Sequence, residues 1–266
     1  MNSLPTHTAE RYVEPLREGG SLPAVVDTDG GLFVVKFRGA GQGARALVAE
    51  VLVGELAREI GLPVPSLVEV RIDPVFGRSE PDPEIQDLLR ASHGSNIGIA
   101  YLEGAFNFDV AAAGELVSPE LAAEIVWLDA FVTNPDRTAR NPNLMVHERR
   151  PLLIDHGAAL YHQHDWARVD ERRIAAPFPL IRDHVLLGVA ADVADADERI
   201  AGRIDPGVFE AIVDRVPQEL LDDEGRERHR AWFAGRWAAR ETVVEGARTA
   251  AAEVAASPPT RRSARR

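Results

Sequence analysis

The chain has 266 residues, 45% of them hydrophobic, enough for one large domain or two small lobes around a buried core. With 42 acidic against 30 basic residues the net charge is -12, which argues against general affinity for nucleic acid or anionic membrane. The chain has no cysteine, hence no disulfide, thiolate metal site or cysteine nucleophile; with no targeting signal and no apolar run of about 20 residues, the expected compartment is the cytoplasm.

Residues up to about 105 predict a β-rich segment with one helix, because Ala24-Val25-Val26 and the runs 32–37, 67–72 and 97–102 are short, apolar and bounded by Gly, Pro or Asp. Asp27-Thr28-Asp29-Gly30-Gly31 is a turn that makes the first two strands antiparallel neighbours in a small twisted sheet. Over 44–60, Val48, Leu52, Leu56 and Ile60 recur every four residues, and Gly61, Pro63 and Pro65 end the helix. Residues 71–95 are rich in charge, Pro and Gly and read as a loop with a short helix at 83–90. Beyond residue 105 the chain turns helical. Ser118 and Pro119 open a helix over 119–131, a hairpin joins 144–146 to 152–154, and further helices cover 206–215 and about 223–256. Residues 257–266, with Pro-Pro and four arginines, read as a disordered basic tail.

Chemistry concentrates in a few places. Lys36 ends a run that is apolar on both faces, so its ammonium must find an anion, such as a nucleotide phosphate, or snorkel to water. Glu50 lies about 200° around its helix from Val48 and is placed to pair with that lysine, with Glu55 and Glu59 as rival partners. Gly19-Gly20-Ser21, before the first strand, offers backbone amides to phosphate oxygens or is an ordinary turn. Pro135 and Pro142 bracket Asp136 to Asn141 and impose an irregular, fixed loop, with Arg137 and Arg140 serving transferred charge, the loop itself, or surface pairs. Asp136, then Asn141, then an apolar strand ending in Asp155-His156-Gly157, is the order in which kinase-type phosphotransferases set a catalytic carboxylate and two Mg2+ ligands. Asp136 would orient and deprotonate an attacking hydroxyl, while Asn141 and Asp155 would hold Mg2+ on ATP. His162, His164 and Asp165 lack the further ligands of a zinc site and read as a surface loop.

These residues resemble the HipA-like kinases. Glu50, with Leu56-Ala57-Arg58-Glu59-Ile60-Gly61-Leu62-Pro63-Val64-Pro65, is similar to that family's glutamate helix and its Leu-Ala-x-x-x-Gly-Leu-x-Val-Pro ending, while Asp136, Asn141 and Asp155 match its catalytic and metal positions. The resemblance covers about residues 11–240. It implies an α+β, bilobal protein-kinase-like fold, with a β-rich lobe at 1–103 and a helical lobe at 104–256. It further implies a phosphate loop at Gly19, Gly20 and Ser21, an adenine-holding connector at 99–103 including Ala100 and Leu102, and Mg-ATP-dependent transfer to Ser or Thr of a protein. Full-length HipA-type toxins carry an added N-terminal subdomain, whereas about eighteen residues precede Gly19 here, which leaves a toxin-antitoxin role open.

Two other readings stand beside it. The strand 32–37, Gly39-Ala40-Gly41-Gln42-Gly43, a helix and the strand 67–72 imitate the β-α-β unit of an NAD(P)-binding oxidoreductase. A catalytically silent nucleotide-binding pseudokinase is the other, although no motif residue is missing.

Overall fold

The computed structural model describes residues 3–16, 22–78 and 80–256. Five strands, β1 (Thr6–Pro15), β2 (Ala24–Thr28), β3 (Gly31–Lys36), β4 (Leu67–Ile72) and β5 (Gly94–Ala100), close into a barrel in the order β1-β2-β3-β5-β4. The hairpin expected from the sequence is there: β2 and β3 are antiparallel, with Val26 opposite Phe33 and Gly31 at φ 107° in the turn. The twisted sheet, however, becomes a barrel, because β1 pairs antiparallel with β2 and parallel with β4. Nothing in its composition announces β1. Only Ala9 of its ten residues is buried, so it lacks the apolar alternation that reveals a strand, and two register shifts bend it.

The topology overturns the dinucleotide-binding reading. β5 lies between β3 and β4 and runs antiparallel to both, whereas a β-α-β unit needs those two strands side by side and parallel. Ala24, Val26, Phe33, Val35, Val68, Val70 and Ile72 fill the barrel. Leu89, from α2 (Pro83–Ala91), packs against them. Gly98, midway along β5, is required there: a Cβ would lie 2.8 Å from Val68 Cγ2 and from Val70 Cγ2.

Helix α1 (Gly43–Glu59) ends where Gly61 takes φ 85°. It is more buried than its four-residue spacing implies, since Leu47 through Ala57 are all inaccessible. Its surroundings explain this: α1 lies between β4 and β5 on one side and α7 (Gly207–Arg215) on the other.

A second sheet, β6 (Phe106–Asn107), β7 (Leu144–His147) and β8 (Arg150–Leu153), contains the expected hairpin, turned by Glu148 and Arg149 at φ 49° and 64°. Around it are α3 (Ala113–Leu116), α4 (Pro119–Phe131), α5 (Glu171–Ala175), α6 (Val193–Ala201) and α7. Ser118 caps α4 as predicted, its side chain accepting from Leu121 N, and α4 is the buried axis of this region. The single helix expected over 223–256 is instead two, α8 (Asp223–Ala238) and α9 (Arg240–Ala256). The break lets α8 follow α5 and α7 while α9 follows α4 and α6. Arg236, 1% exposed, secures the junction by donating to the carbonyls of Ala130, Phe131, Ile174 and Ala176. Among the described residues no helix is long and apolar enough to cross a membrane, and the tail at 257–266 lies outside them.

Gly98→Ala should destabilise the fold by about 1–3 kcal/mol through overpacking. Urea unfolding checks this, and an unchanged midpoint would mean that the barrel interior has spare room.

Candidate active site

Lys36 ends β3 and is 8% exposed, so its ammonium is stable only beside anions. Its Nζ donates to Glu50 Oε2 at 2.6 Å and to Asp155 Oδ1 at 2.7 Å. Glu50 Oε2 accepts a second bond, 2.8 Å, from the backbone N of His156. One buried carboxylate therefore fixes both the ammonium and the backbone that presents Asp155. The rival partners are engaged elsewhere: Glu55 and Glu59 both bind Arg215.

Burial opposes the Lys36 ammonium, yet the Glu50 and Asp155 carboxylates outweigh it and raise its pKa above the ordinary lysine value. Asp155 is also disfavoured by burial, but Lys36 beside it brings it below the usual carboxylate range. Glu50 moves the other way: burial pushes it up against the pull of Lys36, and the Asp155 charge adds to the push.

The loop that carries Asp136 and Asn141 follows α4. Asp136 N donates to Asn134 Oδ1 at 3.1 Å, and Asp136 Oδ2 accepts from Asn141 Nδ2 at 2.9 Å and Asn143 Nδ2 at 3.1 Å. The irregular, fixed loop predicted from the two prolines is thus observed. Lys36, Asp136, Asn141 and Asp155, with Gly43 and Gly157, line one cleft of about 270 Å3, and Glu50 stands behind the lysine. The Asp155 side chain is 44% exposed, and among the described residues the Asn141 side-chain Oδ1 accepts no hydrogen bond, so both can offer oxygen to a cation. Two hard oxygen ligands fit Mg2+, which completes its shell with water and phosphate oxygens. Among the described residues no group of three or more His, Asp or Glu forms a fuller metal cage.

Other expected site residues lie elsewhere. Gly19, Gly20 and Ser21 are outside the described residues. Ala100 and Leu102 do not line this cleft; Ala100 pairs with Phe33, three positions or about 10 Å along β3 from Lys36. Ala40, Gln42 and Gly43, from the segment that imitates a dinucleotide fingerprint, do line it.

Several supporting residues were hidden from the sequence. Arg137 is not a surface arginine: it is 1% exposed, and its Nε donates to Asp129 Oδ2 at 2.6 Å. Its Nη1 donates to the carbonyls of Asn143 and Ile154, and Nη2 donates to His156 Nδ1. It thereby ties the 136–143 loop to the strand before Asp155. Burial disfavours the Asp129 carboxylate, yet Arg137 and His184 hold it well below the usual carboxylate range. Thr133, Asn143, Asp155 and Leu160 take left-handed φ of 54°, 48°, 54° and 54°, each a strain of about 1 kcal/mol that the surrounding bonds must sustain. At 161–166 the chain lies at the surface as expected, with Tyr161, His164 and Asp165 exposed, but His162 turns inward and stacks on Trp232 at 4.3 Å between ring centroids. Trp166 meets the same ring edge-on at 5.0 Å, and Trp232, seventy positions away in sequence, is the partner that local pattern does not reveal.

A barrel carrying the Lys-Glu pair, followed by an Asp-Asn loop and an Asp-x-Gly turn, defines a kinase-type phosphotransferase. The sequence pattern of the HipA-like kinases matches residues 13–231, and the chain belongs to that family. No curated protein matches it. Among solved structures it is similar to the Helicobacter pylori proinflammatory kinase CtkA, with TM-score 0.57, 16% identity, and coverage of 88% of this chain and 95% of that one. At that identity the likeness is one of fold.

Burial pushes the His156 and His162 imidazoles down to about 3, and the His229 imidazole, from α8, down to about 4. The folded protein keeps them neutral, whereas the unfolded chain protonates them near pH 6.5. Stability should therefore be full above that pH and fall as pH drops towards 4, because unfolding takes up protons. The upward shift of Glu50 opposes this trend without reversing it, because one carboxyl faces three imidazoles. Urea midpoints at pH 7 and 5 check this; equal midpoints would show that these rings are solvated.

Proposed function

We propose that this chain binds Mg-ATP between a β-rich lobe at 1–103 and a helical lobe at 104–256, and transfers the γ-phosphoryl group to a hydroxyl of Ser or Thr in a protein in the cytoplasm. The observation that carries the proposal is the pair of hydrogen bonds from Lys36 Nζ to Glu50 and Asp155, closed across positions 14 and 119 residues apart in sequence. Such a lysine is preset to receive phosphate oxygens, with Glu50 holding it in place. When bound, Mg2+ would neutralise charge on the β- and γ-phosphates, and Asn141 and Asp155 are the residues to hold it.

The cleft lining supports the remaining roles. Asp136, steadied by Asn141 and Asn143, orients the acceptor hydroxyl; its carboxylate takes the proton as the new O–P bond forms and the bond from Pγ to the ADP oxygen breaks. Gly19, Gly20 and Ser21 would cover the phosphates, and the backbone of Ala100 and Leu102 would hold adenine at the far end of β3, as the family implies. Arg137 stays on the loop and does not reach transferred charge, because its donors are already engaged. A silent pseudokinase would need a lesion in this set, and none of its members is missing.

Incubation with γ-32P-ATP, Mg2+ and lysate protein, followed by phosphoamino-acid analysis, tests the proposal. The wild type should yield labelled phosphoserine or phosphothreonine, Asp136→Ala should transfer at least about 100-fold more slowly, and Asp155→Ala should lose Mg2+-dependent ATP binding. Mg-ATP binding without transfer by the wild type would establish the silent reading, and unchanged turnover in Asp155→Ala would show that the metal ligand lies elsewhere.

A further inference from the structure

Glu50 works only if α1 holds its rotation and its position along its own axis. Hydrophobic burial fixes the rotation only in part: Leu47 through Ala57 are buried all round the helix, and packing singles out one face mainly at Gly54, where a Cβ would lie 2.7 Å from Leu67 Cδ1. Directional bonds must supply the rest. They come from the side of α1 away from the nucleotide cleft. At 3.6 residues per turn, Glu55 and Glu59 lie about 140° and 180° around the helix from Glu50. Both bind Arg215, the last residue of α7: Nη1 donates to Glu55 Oε2 at 2.7 Å and Nη2 to Glu59 Oε1 at 2.5 Å.

One planar guanidinium thus spans a full turn of α1, a geometry that lysine cannot reproduce at both carboxylates together. Glu55 is 5% exposed, so its charge needs this partner. Nearby bonds take up the rest of the helix end. Arg58 donates to Glu55 Oε1 and to the Pro65 carbonyl, and Arg203 donates to the Ile60 carbonyl while pairing with Glu124 of α4. Arg215 alone binds two acids on the face opposite Glu50.

We propose that Arg215 is a positioning residue for phosphoryl transfer: from behind α1 it sets the helix rotation that delivers Glu50 to Lys36. This deepens the function proposed above and rests on it. Its side chain is 21% exposed and lines an open cleft of about 570 Å3 with Glu69, Asp214, Arg226 and Arg230. Water can therefore replace the side chain in a variant, and the fold should survive its removal.

The test combines Arg215→Ala, Arg215→Lys and Glu50→Gln with two readouts, steady-state transfer from Mg-ATP and native-state hydrogen exchange of the His156 amide, which Glu50 accepts at 2.8 Å. Arg215→Ala should lower kcat/KM about tenfold and speed exchange at His156 by a similar factor, leaving Gly98 in the barrel protected as before. Arg215→Lys should recover part of both. In the Glu50→Gln background, Arg215→Ala should cost nothing further, because the group it positions is gone. An equal loss in that background, or an activity loss that tracks the thermal midpoint of each variant, would overturn the proposal. If the wild type transfers no phosphate the functional reading fails, and His156 exchange still decides the inference: unchanged protection in Arg215→Ala refutes it.

Discussion

A single ammonium organises this protein. Lys36 is too buried to be hydrated, and it is charged only because Glu50 and Asp155 close on it from separate elements. Stripping a charge of water costs several kcal/mol, and two carboxylates in direct contact offset that cost where one at a distance would not. Barrel, helix and Asp-x-Gly turn must therefore meet at one point. The cleft beside that point holds the remaining polar groups with oxygen or amide to offer, and a phosphate-bearing ligand is what those groups suit.

Behind the ammonium is a second set of buried charges. Asp129 and Arg137, both inaccessible, join the end of α4 to the loop that carries Asp136 and to the strand leading into Asp155. Apolar side chains in their place would pack as well but would not dictate loop geometry. Arg137 satisfies carbonyls of two segments and an imidazole nitrogen at once, which fixes the distance between Asp136 and Asp155 in a way that hydrophobic contact does not. The left-handed residues around it are tolerated because these bonds outnumber the strains.

Much of this was legible from residue order. The cap of α4 at Ser118, the end of α1 at Gly61 and the hairpin before Asp155 follow from local chemistry, and local chemistry acts within a few residues of its cause. Lys36 was readable because a charge in a run apolar on both faces demands an explanation, and Glu50 because helical geometry turns it from the Val48 row. What escaped notice depends on contacts distant in sequence. β1 buries one residue of ten and is a strand only because β2 and β4 flank it. Arg137 looks like any loop arginine until Asp129 is brought to it, and the break between α8 and α9 reflects the surfaces those helices must follow. Glu55 and Glu59, plausible partners of the lysine by spacing alone, belong to Arg215, which lies about 160 positions away.

A crystal structure with Mg2+ and a non-hydrolysable ATP analogue tests the central claim most directly. The account predicts the cation on Asn141 and Asp155, the phosphates against Lys36, and the Lys36 to Glu50 bond retained. Nucleotide bound away from Lys36, or a cation held by neither Asn141 nor Asp155, would contradict it.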